Sequence, residues 1–351
     1  EENAVQLRLS ICGSQRDPLR NPNGFDAQIE RIRIEEKGRD DVSRVMVLGS
    51  FVVDLMARSP HFPEKGETVK SSFFKMGPGG KGFNQAVAAG RAGADLRAAI
   101  KLGRDEFAQV ALNWMERDGM DKSNVCFSET VPTGAALIMV DDSTGQNMIS
   151  VFLGASDDFN QADLERLYPE IEACDYLLLQ LEINQWALER VIAFAREKGV
   201  KVILNPAPAA KLPEELFNGL FAIIPNEVEA RLITGIPVKE AGCEEAARWF
   251  FDRGVQNVVI TLGGDGVYVN DGVKSRRVPV YASTKAVDTT GAGDAFCGGF
   301  LAALGEGRDV FEAVEFGNVV GNLAVRKIGT SPAMPTREEI DAFLNSEEGR
   351  R

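Results

Sequence analysis

Histidine is nearly absent: the chain has one, His61, among 351 residues. A lone histidine excludes multi-histidine metal sites and argues against Ser-His-Asp chemistry, and its SPHFP context reads as an exposed turn. Cysteine is sparse too, with Cys12, Cys126, Cys174, Cys243 and Cys297 odd in number, far apart and never in a CxxC pair. Scattered thiols point to a reducing compartment and exclude a disulfide framework or a zinc cluster. No apolar run approaches the roughly eighteen residues of a membrane span, and the charged start lacks the apolar core of a signal peptide. No membrane partner and a cytoplasmic location are therefore expected. Basic residues are also in deficit, 39 Lys and Arg against 52 Asp and Glu, for a net charge of −13. Without a basic stripe this balance repels nucleic acid, which is excluded as a partner.

The 44% apolar content suffices for a sizeable core. Residues 1–43 do not contribute to it: they are polar, charge-mixed and turn-rich, and are predicted to be a disordered or weakly ordered extension. From residue 44 the pattern alternates. RVMVL at 44–48 is a buried first strand, 85–93 and 106–117 are amphipathic helices, and 96–101 is β-like between them. Strand, helix and strand return at 176–182, 186–198 and 200–205, and again as a strand at 221–225 before a helix. This rhythm predicts an α/β fold with a doubly wound, mostly parallel sheet and helices on both faces. Two β-rich runs, 133–140 and 147–153, break it, because DDSTGQ joins them as a hairpin. With ETVKSSFFKM at 67–76 they are predicted to form a small sheet projecting over a site.

The richest stretch is VDTTGAGDAFCGGF, residues 287–300. A short β-compatible segment at 285–288 precedes Gly291 and Gly293, which permit a tight turn, and the apolar run 295–304 reads as a helix. A helix N-terminus offers unpaired N–H groups and partial positive charge to a phosphate. Asp294 beside it adds a carboxylate able to take a proton from an alcohol, although a Gly-rich turn capped by Asp also occurs in many α/β proteins. GPGGKGFN, residues 77–84, satisfies GxGxxG formally but lacks the acidic residue some twenty positions on, and Gly82 stands where a Walker loop needs Ser or Thr after Lys81. Asp54, after the apolar FVV, reads as a turn or cap residue, and Glu182 as a strand-end carboxylate at the edge where open sheets place ligands. Asn226 and Glu229, in NEVE, fit a capping box and a hydrated Mg²⁺ site equally well. Thr261 to Gly266 reads as a Gly-rich hairpin turn between two strands.

GPGGKGFN, NPAP at 205–208, NEVE at 226–229 and VDTTGAGD at 287–294 occur in the order seen in the ribokinase branch of the PfkB family of sugar kinases, which the chain resembles from about residue 45 to 344. The resemblance implies a ribokinase-like domain over residues 44–345, with lid segments near 54–78 and 133–153 and a homodimer made through the lid. It implies ATP-dependent phosphorylation of the primary hydroxyl of a pentose, D-ribose before others. Asp294 becomes the general base, and the amides of Gly291, Ala292, Gly293 and Asp294 an anion hole. Asp54, Gly80, Lys81, Asn84 and Glu182 bind the sugar. Asn226, Thr261, Gly263, Gly266, Gly293 and Asn318 lie along the nucleotide, and Glu229 holds Mg²⁺ through water. Asp288, Thr290, Ala324, Lys327, Gly329 and Ala333 surround a monovalent cation, K⁺. Two positions depart from the pattern. Val52 replaces the Asn that reads a sugar hydroxyl, as in deoxyribokinase-like relatives, which makes 2-deoxyribose or another furanose the alternative substrate. Ala333 replaces a Ser whose side-chain oxygen serves the cation in some relatives.

Overall fold

The computed structural model describes residues 42–238, 242–281 and 286–349; the predicted extension lies outside them except for Val42 and Ser43. From β1 (Arg44–Gly49) the chain runs through β2 (Val52–Ser59) and β3 (Phe73–Gly79) into α1 (Lys81–Arg91), β4 (Asp95–Leu102), α2 (Glu106–Arg117) and β5 (Val125–Phe127). Next come β6 (Thr133–Asp141), β7 (Asn147–Gly154), α3 (Gln161–Glu172), β8 (Tyr176–Leu179), α4 (Gln185–Glu197), β9 (Lys201–Leu204), β10 (Ala222–Ile223) and α5 (Glu227–Thr234). The rest is α6 (Gly242–Phe251), β11 (Asn257–Thr261), β12 (Val267–Asn270), β13 (Ser275–Val278), α7 (Ala292–Gly305), α8 (Val310–Ala324) and α9 (Arg337–Asn345).

Nine strands form the main sheet in the order β13-β12-β11-β10-β9-β8-β1-β4-β5. All neighbours are parallel except the β11-β12-β13 end. Side chains alternate along each strand, so Val45 and Val47 enter one core while Met46 and Leu48 enter the other. A sheet buried on both faces needs apolar residues at every position, which is why RVMVL carries no polar alternation. Helices α1, α2, α7, α8 and α9 cover the first face; α3, α4 and α6 cover the second. The contact between α1 and α7 is unusually close because Gly298 has no side chain. A Cβ there would lie 2.5 Å from Ala88 Cβ and 2.6 Å from the Gln85 carbonyl oxygen. One turn upstream of Gly298 is Asp294, so this approach brings Asp294 against the start of α1.

The second sheet has four strands in the order β3-β2-β6-β7, with β6 and β7 the expected hairpin. Its open face is apolar: Phe74, Met76, Leu137, Met148 and Phe152 are between 50% and 65% exposed.

Three expectations need correction. Asp54 is no turn residue, because the chain re-enters a strand at Val52 and Asp54 lies within β2, opposite Gly77 and Ala136. The β character expected from residue 67 begins only at Phe73, where pairing with Arg58 of β2 starts, and it runs on to Gly79. Pro78 is tolerated within it because β3 is an edge strand. At residues 285–288, Lys285 lies outside the described residues and 286–288 form no strand. The Val287 and Asp288 N–H groups instead donate to the Val325 carbonyl at the end of α8, at 2.8 and 3.2 Å.

Candidate active site

The loops that follow β1, β8, β9 and β10 converge with the N-termini of α1, α5 and α7 at the carboxyl edge of the main sheet, where parallel α/β folds hold ligands. Gly291 makes the turn into α7 with φ 78°, a conformation costly for any residue with a Cβ. Gly293 is different, being already helical. A Cβ there would meet nothing within 4 Å, so glycine leaves the mouth of the helix open. Asp294 follows in the first turn, 8% exposed. Its Oδ2 accepts from Asn84 Nδ2 at 3.0 Å and its Oδ1 from Gln85 Nε2 at 2.9 Å. A buried carboxyl group with two amide donors is fixed in orientation, not a freely rotating cap.

Around it stand three more carboxylates and one ammonium. Glu182 Oε2 accepts from Ser50 Oγ at 2.5 Å and from the Lys81 N–H at 2.8 Å. The first amide of α1 is thus taken by a protein carboxylate, which leaves the formal GxGxxG loop without its anion site for a dinucleotide. Gly80 caps that helix at φ 88°, with Phe51 Cα and Ser50 O within 2.9 Å of where a Cβ would stand. Asp54 is pushed up to about 6, chiefly by desolvation and then by the charge of Glu182, with Asp294 adding to it and a hydrogen bond from Thr330 opposing. Burial would lower the Lys81 ammonium, but Asp294, Glu182 and Glu229 outweigh it and raise it. Lys81 is therefore a permanent cation among carboxylates. These groups come from β2, α1, the loop after β8, α5 and α7, yet each feels the others.

Asn84, predicted to touch sugar, has both ends of its amide engaged by the protein: it donates to Asp294 and its Oδ1 accepts from Ser331 Oγ at 2.6 Å. Of its neighbours the sequence reading named only Asn205, in NPAP, and passed over the rest. Gln85, Gln180, Asn205, Ser331 and Thr330 all enter this network. The one signal was a run of amides, Asn84-Gln85, at the start of a helix too buried to need them for solubility.

On the other side of α7 an open cleft of about 570 Å³ is lined by Asn226, Thr261, Gly263, Gly266, Gly293 and Asn318, which gathers every residue predicted to face the nucleotide. Val280, Tyr281, Phe296 and Val325 give it an apolar wall. Asn318 Nδ2 donates to the Pro279 carbonyl at 2.8 Å, which holds it at the rim. Asn226 and Glu229 do form a capping box on α5: Asn226 N–H and Nδ2 each donate to Glu229 at 2.8 Å, and Asn226 Oδ1 accepts from the N–H groups of Val228 and Glu229. Burial raises Glu229 against the opposing hydrogen bond from the Asn226 N–H, so a nearby cation would favour its charged form. Among the described residues no three His, Cys, Asp or Glu side chains converge as a metal cage.

A cavity of about 330 Å³ lies between Asp54, the lid strands and the residues before α7. Asp288, Thr290 and Gly329 line it, whereas Ala324, Lys327 and Ala333 do not. Asp288 ties two loops together by accepting from the Thr290 and Gly329 N–H groups, each at 2.9 Å. Lys327 sends its side chain to Glu339 of α9. No helix among the described residues is long and apolar enough to cross a membrane.

Comparison with known proteins matches this architecture over its length. The family model described as pfkB family carbohydrate kinase covers residues 42–337. The chain is 38% identical to a ribokinase of Haemophilus influenzae over 85% of this chain and 97% of that one. It is 33% identical to a deoxyribokinase of Salmonella typhi over 87% and 99%. Among solved structures, the Arabidopsis thaliana ribokinase complexed with ribose and ATP superposes with a TM-score of 0.81 at 28% identity, covering 87% of this chain and all of that one. Likeness in sequence and in fold thus spans the same residues that carry the two sheets and the cleft between the loops. The chain belongs to the pfkB family of carbohydrate kinases and is an ATP-dependent sugar kinase.

Proposed function

We propose that the protein transfers the γ-phosphate of ATP to the primary hydroxyl of D-ribose, giving ribose 5-phosphate. The observation that carries this is the Asp294 carboxylate, held by two amides at the open N-terminus of α7, with a nucleotide-sized cleft on one side and Asp54 and Glu182 on the other. Asp294 takes the proton of the hydroxyl as its oxygen attacks. The N-terminal amides of α7 at Gly291, Ala292, Gly293 and Asp294 stabilise the charge spread over the transferring phosphoryl group, and Lys81 adds positive charge nearby. Asp54 and Glu182 accept hydrogen bonds from the ring hydroxyls and fix the sugar in line. Phosphoryl transfer is governed by positioning and charge, so one carboxylate and a helix end are sufficient protein chemistry.

Mg²⁺ fits through water at Glu229, because both carboxylate oxygens are already committed to Asn226 and the ion keeps most of its hydration shell. When bound it would neutralise phosphate charge. A monovalent cation, K⁺, belongs in this reading beside Asp288, whose two hydrogen bonds bend the 288–290 and 329 backbones towards one point; Thr290, Gly329 and the carbonyls of Ala324, Lys327 and Ala333 complete the proposed set. The exposed apolar face of the lid supports a homodimer formed by two lids.

Val52 favours a second reading, 2-deoxyribose. It is buried, lies two residues before Asp54 on the same face of β2, and offers no hydrogen bond where a hydroxyl would need one. Coupled assays of ADP release with ribose, 2-deoxyribose, fructose and adenosine, each with and without K⁺, test both. Preference for ribose by more than about tenfold in kcat/KM upholds the first reading; the reverse preference replaces it, and no turnover of any sugar overturns both.

A further inference from the structure

We propose that Gln85 positions the Asp294 carboxylate for phosphoryl transfer, as the end of a chain of buried amides whose polarity is set by one backbone carbonyl. The inference rests on the reading of Asp294 as the base. The chain starts at Ile224, whose carbonyl oxygen can only accept. Asn205 Nδ2 donates to it at 2.8 Å, so Asn205 must turn its Oδ1 the other way, towards Gln85. Gln85 must then present Nε2, which donates to Asn205 Oδ1 at 2.9 Å and to Asp294 Oδ1 at 2.9 Å. Its Oε1 is left facing Gln180, whose Nε2 donates to it at 2.6 Å.

Reversing any one amide would oppose two acceptors or two donors in a place where Gln85 is 0%, Gln180 1% and Asn205 8% exposed. Flips that are cheap at a surface are costly here. The arrangement leaves one defect: Gln180 Oε1 is buried without a partner. It falls on Gln180, a branch two links from Asp294, so the amides that lead from Ile224 to Asp294 are fully satisfied. Gly49 is part of the device, since a Cβ there would overlap the Gln180 amide.

The two donors to Asp294 differ in what holds them. Asn84 is held by Ser331, next to Thr330, which bonds the lid through the Pro78 carbonyl. Gln85 is anchored only to residues that follow β8, β9 and β10 of the main sheet. A carboxylate with one donor still rotates about its Cβ–Cγ bond, and the fixed second donor aims a lone pair at the incoming hydroxyl. Gln85 touches neither proposed substrate; it acts through Asp294.

The test is Gln85→Met, close in shape but without the donor, measured on the full chain with ribose and ATP and again in an Asp294→Asn background. The expected result is a loss in kcat on the order of 10- to 100-fold, with both KM values within about twofold. In the Asp294→Asn background the same change lowers the residual kcat by less than about twofold, because residues acting as a unit are not additive. An equal loss in both backgrounds, or wild-type kcat in a folded Gln85→Met protein, overturns the proposal. Should thermal melting show that Gln85→Met does not fold, Gln180→Met takes its place. It frees the far end of the Gln85 amide and is expected to give a smaller loss in kcat alone, again absent beside Asp294→Asn; additivity there overturns the proposal as well. Full turnover by Asp294→Asn on its own refutes the base reading instead, independently of Gln85.

Discussion

The two sheets solve opposite problems. The nine-stranded sheet is covered on both faces, its central strands are apolar at successive positions, and it carries the anchors of Asp294. The four-stranded sheet leaves one face of Phe, Met and Leu uncovered, and contributes a single site carboxylate, Asp54. What the difference teaches is a division of labour. In the proposed reading the base, Asp294, belongs to the sheet covered on both faces, and the two proposed sugar acceptors are split, Glu182 following β8 of that sheet and Asp54 lying on β2 of the sheet with the open face.

The largest effect should come from the rigid side. Asp294→Asn is expected to lower kcat by at least about 10²-fold, the typical contribution of a general base, with an unchanged melting temperature. Near-normal kcat in the folded variant would mean that the covered sheet does not carry the chemistry. Gly298→Val attacks the same side through packing. Its added atoms collide with Ala88 and the Gln85 backbone, so destabilisation of about 1–3 kcal/mol and a parallel fall in kcat are expected from denaturant melts and kinetics. A neutral substitution would show that the α1 to α7 approach is slack.

Asp54 sharpens the contrast. Its carboxyl titrates at about 6 in the fold and at 3.8 in the open chain, so the folded state binds that proton more tightly. The contribution favours the fold below pH 3.8 and is lost as pH rises through about 6. Asp54→Asn should therefore raise stability at pH 7.5, by up to about 3 kcal/mol for a shift of some two units, while lowering kcat/KM for the sugar. In the wild type, kcat/KM for sugar should fall as pH drops through about 6. A flat profile between pH 5 and 7 would remove Asp54 from sugar binding. The smallest effect on turnover belongs to the outer lid face. Met148→Ser with Phe152→Ser should shift light-scattering mass from dimer to monomer and change the melting temperature little, because both side chains already face outwards. A dimer that survives both changes assigns the interface elsewhere.

Much of this was legible before any fold was known. Residues 106–117 are α2 to the residue, and DDSTGQ joins β6 to β7 as read, because helix and hairpin signals lie within a few residues of one another. That Asp54 lies within a strand was not legible from its neighbours, because the strand is defined by partners at Gly77 and Ala136, which no local pattern announces. Gln85 was passed over for the same reason: its partners are 95, 120 and 209 residues away.

The sequence by itself determined the alternation of strands and helices, the glycine turn into α7 and the presence of a carboxylate just inside it, since periodicity, positive φ and helix ends are properties of neighbouring residues. Only the tertiary structure decided that this carboxylate meets Asn84 and Gln85, that the Asp54 carboxyl keeps its proton to a higher pH than usual, and that the amides run in one direction from Ile224 to Asp294. Those depend on burial and on distances between groups far apart in the chain, which parallel strand order creates by stacking the ends of β8, β9 and β10 side by side.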